Sequence, residues 1–151
     1  MLRTQLNDAL KQALKTKDQL ALSTVRLILA ALKDRDIQAR GEGRSDCVSD
    51  QEILELLQKM IKQRRDSIEL YKEGNRLDLA EREAGEIEVI ERFMPQPLDE
   101  EETAAAVSDA VEETGATGMR DMGRAMAFLK QRFAGRMDFA KASVMLKQKL
   151  T

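Results

Sequence analysis

An all-α protein in two helical parts is what this sequence predicts, and three observations predict it. Leu, Ala, Lys, Glu, Arg and Met dominate its 151 residues while aromatics make up 3%, a composition of strong helix formers. Apolar residues recur at three-four spacing along nearly the whole chain. Its two prolines, Pro95 and Pro97, stand together, and such a pair stops a helix and stiffens the link beyond it. The expected organisation is a four-helix N-terminal domain over 1–94, with a helical hairpin at 49–94. A proline hinge at 95–98 and a three-helix domain over 99–151 follow.

The elements follow in order. Leu2, Leu6, Ala9, Leu10 and Ala13 give the first helix, 2–16, one apolar stripe. Asp18 is a candidate cap for a second helix reaching about Gln38. Leu20, Val25, Leu27, Ile28, Leu29, Ala30, Ala31 and Leu32 cover more than one face of it, so it is expected to be the most buried helix. Arg26 within it is expected to snorkel outward or meet a carboxylate. Ala39 to Val48 is polar, holds Gly41 and Gly43, and reads as a mobile loop. It lacks the strand and Gly-Lys-Ser/Thr of a phosphate loop.

Ser49 with Glu52 forms a capping box that opens the third helix. Gly74 is expected to end that helix in the left-handed conformation, with Asn75 capping the fourth. In an antiparallel hairpin, residues equally far from the corner share a height. Counting from Gly74 sets Arg65 against Glu83 and Lys62 against Glu86. Arg64 then falls opposite Ala84 and Gly85, with Glu81 and Glu88 one turn away as partners. An inward arginine requires such a partner, because an unpaired buried charge is costly. Lys62, Arg64, Arg65, Glu83 and Glu86 are therefore read as a structural ion-pair network. Glu83 and Glu86 could alternatively serve as a general acid and base.

Beyond the prolines, Asp99 with Glu102 forms a second box, and Gly115 lies past the end of the fifth helix. Met119, Met122, Met126, Leu129 and Phe133 stripe a sixth that begins at 118–121. Asp138 caps a seventh holding Phe139, Ala142, Leu146 and Leu150. Three short helices make a thin core, so this half is expected to be the less stable. Its charge is segregated. Residues 99–113 hold seven acids and no base, and residues 120–149 hold eight bases against two acids. Basic residues late in helices also complement the helix dipole. A phosphate backbone is the functional counterpart of that face, with Arg120, Arg124, Lys130, Arg132, Arg136 and Lys141 as nucleic-acid-binding candidates.

The composition excludes several classes. There is no His and one Cys, Cys47, so His-based triads, imidazole metal sites and disulfide frameworks are absent. No metal site, cofactor or catalytic residue is expected. No apolar run approaches the roughly 20 residues of a membrane span, and no signal-like segment opens the chain. A cytoplasmic location with no membrane partner is therefore expected.

Two motifs then match a known family. The first runs from Arg64 through Ser67-Ile68-Glu69, Tyr71, Gly74, Arg76, Asp78-Leu79-Ala80, Glu83 and Glu86-Ile87, with Pro95-Gln96 after it. The second is Gly115-Ala116-x-Gly118-Met119-Arg120-Asp121-Met122-Gly123-Arg124-x-Met126, followed by Gly135-Arg136-x-Asp138. Over essentially the whole chain this resembles the YqeY family. The resemblance implies an all-helical fold whose C-terminal domain is similar to the tail of the GatB component of the glutamine-dependent Asp/Glu-tRNA amidotransferase. It further implies a non-catalytic module associated with tRNA-dependent amidation or translation. On that reading the basic C-terminal face contacts tRNA, and amidotransferase or other translation proteins are partners. A protein-interaction adaptor is the alternative reading. Carbon-nitrogen ligase activity with glutamine as amido-N-donor, the label such proteins carry, is the second alternative.

Overall fold

In a computed structural model that describes residues 1–44 and 47–151, the chain is all-α. It divides into two compact units, Met1–Met94 and Pro95–Thr151. Residues 95–98 fall within the second of these units.

The first unit contains α1 (Leu2–Thr16), α2 (Gln19–Gly41), α3 (Asp50–Glu73) and α4 (Leu77–Glu91). The Asp18 carboxylate accepts from the Ala21 N–H at 3.1 Å and starts α2. At Ser49 both halves of the capping box form. The α3–α4 hairpin is the most extensive pairing in the unit, and α2 packs against both of its arms. Leu6, Ile28, Ile53, Leu57 and Ile90 are fully buried at the centre, with Leu2, Leu32, Ile61 and Ile87 around them. A smaller cluster joins Ala13, Ala21, Leu22, Val25 and Val89.

Two expectations need correction here. The left-handed residue at the corner is Asn75, at φ 56°, whereas Gly74 sits at φ −82°. Asn tolerates this conformation because its side chain is short and polar. Helix α2 also continues to Gly41 instead of ending near Gln38, and it is not uniformly buried. Ala21, Leu22, Val25, Ile28 and Leu32 face the two clusters, while Leu20, Leu27 and Arg26 are exposed. Arg26 points to water, so it needs no carboxylate.

The segment after α2 is anchored at its ends. Ala39 and Val48 are buried. Arg3 donates to both oxygens of Asp36, at 2.8 and 2.6 Å, and Asp36 accepts the Val48 N–H at 3.1 Å. Arg44 grips Glu52 at 2.9 and 3.0 Å. Of the expected mobile loop, Ser45 and Asp46 lie outside the described residues. The hydrogen bonds from Arg3 hold the Asp36 carboxyl below its ordinary value. Their stabilisation is therefore present above the usual carboxylate range and is lost as pH falls through it.

Thr24 is fully buried in α2, and its hydroxyl has no hydrogen-bond partner among the described residues. A buried orphan hydroxyl costs about 1 kcal/mol or more. Thr24→Val keeps the shape and removes the orphan, so it is expected to raise stability by about 1 kcal/mol in urea titration.

The second unit contains α5 (Glu100–Thr114), α6 (Met122–Phe133) and α7 (Phe139–Leu150). Each of the three packs on the other two. Asp99 accepts the Glu102 N–H at 2.7 Å, but only this half of the predicted capping box forms. Gly115, at φ 65°, ends α5. The sixth helix starts later than expected. Met119–Asp121 is a 3₁₀ turn, tied back by the Asp121 carboxylate accepting the Thr117 N–H at 3.0 Å. The stripe therefore reaches the core through Ala125 and Leu129, while Met119 is exposed. Asp138 accepts from the Ala140 and Lys141 N–H groups to start α7. Val107, Leu129, Met137 and Leu146 are fully buried.

Candidate functional site

The corner at Asn75 decides which charges meet in the hairpin. Arg64 lies eleven residues before Asn75 and Glu86 eleven after it. With the corner centred there, Glu86 faces Arg64, and Ala84 does not. Arg64 Nε donates to Glu86 Oε2 at 2.9 Å, and Glu83 approaches the same nitrogen at 4.0 Å. Arg64 Nη1 donates to the Met60 carbonyl at 3.2 Å. The Arg64 and Glu86 side chains are only 13% and 10% exposed. Arg82 lies 3.9 Å from the other Glu86 oxygen.

The remaining height-matched pairs do not form. Arg65 lies 3.7 Å from Glu91, and both are exposed. Lys62 is exposed, with no carboxylate within ion-pair distance among the described residues. Glu81 and Glu88 are exposed too and do not reach Arg64. The space expected at Gly85 is taken by Leu20: a Cβ there would lie 2.9 Å from the Leu20 methyl. With Glu83 and Glu86 both turned to Arg64, the acid–base alternative for this pair is not taken up.

Arg64 also stands at the edge of an open groove of about 370 Å³ between α2 and α3, a size that suits small or peptide-like ligands. Leu27 and Ala31 of α2 and Leu56 and Met60 of α3 supply its apolar part. Asp34, Arg35, Gln38, Lys59, Gln63 and Arg64 supply its polar rim. Leu27 is 48% exposed, a large apolar side chain presented to solvent in a concave setting. The sequence signal for this groove was the surplus apolar face of α2. Leu20, Leu27 and Ala31 lie on one helical stripe, and they read as core.

The nucleic-acid candidates of the second unit are differently placed. Arg124 lies 3.2 Å from Asp121. Arg136 donates from Nε to the Gln96 carbonyl at 3.1 Å, and its own carbonyl accepts the Leu98 N–H at 2.8 Å. It thus clips the proline segment onto the turn between α6 and α7. The Arg132 guanidinium stacks over the Phe128 ring, 5.7 Å from its centroid. Lys141 borders a small cleft with Asp99, Glu100, Thr103 and Asp138. Arg120 and Lys130 are exposed. Arg124, Arg132 and Arg136 each make a contact within the unit.

Among the described residues no three His, Cys, Asp or Glu side chains gather as a metal site would require, and Cys47 is exposed. Among the described residues no helix is long and apolar enough to cross a membrane.

These features define a small all-α protein built on an ion-braced helical hairpin with a groove beside it. The chain belongs to the YqeY family, whose sequence model, described as "Yqey-like protein", matches residues 3–150. Three relatives carry the name "Altered inheritance of mitochondria protein 41, mitochondrial". The protein from Lachancea thermotolerans is 38% identical over 110 residues, covering 72% of this chain and 57% of its own length. That from Vanderwaltozyma polyspora is 31% identical over 124 residues, covering 78% and 64%. That from Saccharomyces cerevisiae is 31% identical over 91 residues, covering 60% and 47%. The chain thus spans roughly half to just under two-thirds of these relatives.

The relatives correct two expectations. Their names refer to inheritance of mitochondria, so the reading as a tRNA-contacting module of amidation or translation is overturned. They are also mitochondrial by name, which overturns the cytoplasmic expectation.

Proposed function

We propose that this chain is a YqeY-family protein serving the inheritance of mitochondria, and that it works by holding a ligand in the α2–α3 groove. The observation that carries the first half is the 38% identity to the Lachancea thermotolerans protein across 72% of this chain. The groove supports the second half. An exposed apolar centre at Leu27 within a polar rim is the arrangement of a binding surface. The adjoining Arg64–Glu86 pair holds the hairpin rigid beneath it.

The finer division of the fold belongs to this reading. Helices α1–α4 form the N-terminal domain, and α5–α7 form a three-helix domain similar to the GatB tail. The break at Met94 and Pro95 and the Gly115–Met126 motif support it.

The test is rescue. In Saccharomyces cerevisiae lacking its own relative, this chain delivered to mitochondria by an added leader is expected to restore inheritance of the organelle. Failure to do so, with the chain present and folded in the organelle, would overturn the reading.

A further inference from the structure

We infer that the α6–α7 face of the second unit binds the surface of an anionic lipid bilayer, independently of the α2–α3 groove. Helices α6 and α7 carry Arg124, Lys130, Arg132, Lys141, Lys147 and Lys149 and no acid, while α5 carries six acids and no base. Each helix packs on the other two, so the acids sit on one helix and these bases on the two packed against it. The α6–α7 pair is thus the basic side of the unit.

That side also presents an apolar side chain. Val144 is 58% exposed and lies three residues from Lys141 and three from Lys147, so all three share one face of α7. Lys141, Lys147 and Lys149 are exposed, and none has a carboxylate within ion-pair distance among the described residues. Lys141 borders the cleft with Asp99, Glu100 and Asp138, whereas Lys147 and Lys149 lie outside it. An exposed apolar residue among lysines that form no ion pair matches an interfacial helix, which seats its apolar part at the headgroup boundary and its cations among anionic lipids.

Nucleic acid fits less well. The unit has no Trp or Tyr, and Phe128, Phe133 and Phe139 pack against its core, so no exposed ring offers a stacking platform. The chain as a whole carries a net charge of −2, so attraction to an anionic surface requires a local basic face.

The test is co-sedimentation of the full chain with vesicles at about 0.15 M salt. One set is phosphatidylcholine alone, and in the other about a third of the lipid is phosphatidylserine. Binding is expected only to the second set. The K141Q/K147Q/K149Q variant is expected to weaken it about a hundredfold, and a K11Q/K15Q/K62Q control in the first unit is expected to leave it unchanged. V144S keeps every charge and is expected to weaken binding about fivefold, and circular dichroism confirms that each variant is folded. Equal binding to both vesicle sets, no binding to the anionic set, or equal effects of the two lysine triples would overturn the inference. Capture of a short single-stranded RNA at the same salt, without vesicle binding, would assign the face to nucleic acid and overturn it as well.

Discussion

Arg64→Ala is expected to destabilise the first unit by about 3 kcal/mol. The effect comes less from the lost attraction than from what remains. Glu86 is more buried than Arg64, and Arg64 holds its Oε2 at 2.9 Å. Arg82, its other basic neighbour, is largely exposed and 3.9 Å away, too weakly placed to substitute. Removing the guanidinium leaves a carboxylate in an apolar setting, with Ile87 and Ile90 of the core on the same helix. Replacing both partners, in R64M/E86M, removes the orphan and is expected to recover most of the loss. Urea titrations of Arg64→Ala and R64M/E86M measure this directly. A loss under about 1 kcal/mol in Arg64→Ala would show that the pair is a surface contact.

Leu146→Ala is expected to remove about 3 kcal/mol from the second unit. Leu146 is fully buried against Val107, Leu129 and Met137, and several of its other neighbours are alanines, Ala106, Ala110, Ala125 and Ala142. Small neighbours cannot close around the cavity that the lost methyl groups would leave. A domain of this size has about 3–8 kcal/mol in all, so the variant sits near its unfolding limit. Hydrogen exchange in the full chain reads the effect by region. Amides of α5–α7 are expected to lose most of their protection, while those of α1–α4 keep theirs. Unchanged protection across 95–151 would show that the core closes around the gap.

The parts of this fold legible in the sequence were those fixed by local chemistry. Asp18, Ser49 and Asp138 each start a helix through a side chain that accepts from the backbone two or three residues on. Such caps can be read without knowing the partners. The hairpin was legible as a hairpin, but its register was not. Gly74 and Asn75 can each adopt the left-handed conformation, and moving the centre by one residue moves every cross-hairpin partner by two. That displacement set Glu86 against Arg64.

The groove was hidden for a different reason. Leu27 extends the apolar pattern of α2 beyond what its neighbouring helices cover, and periodicity does not separate a surplus face from a core face. Arg136 looked like one more surface cation, because its partner is a backbone carbonyl 40 residues away. Residue type gives no sign of such a contact.

If the α2–α3 groove is the working surface, Leu27 is the side chain on which it depends most. Leu27 is half exposed, so Leu27→Glu leaves the core clusters intact and should accumulate as the unaltered chain does. The measurement is rescue of mitochondrial inheritance in the yeast strain lacking its relative, with both chains at matched levels in the organelle. The unaltered chain is expected to restore inheritance and Leu27→Glu to fail. Equal rescue by the two would contradict the assignment of function to the groove.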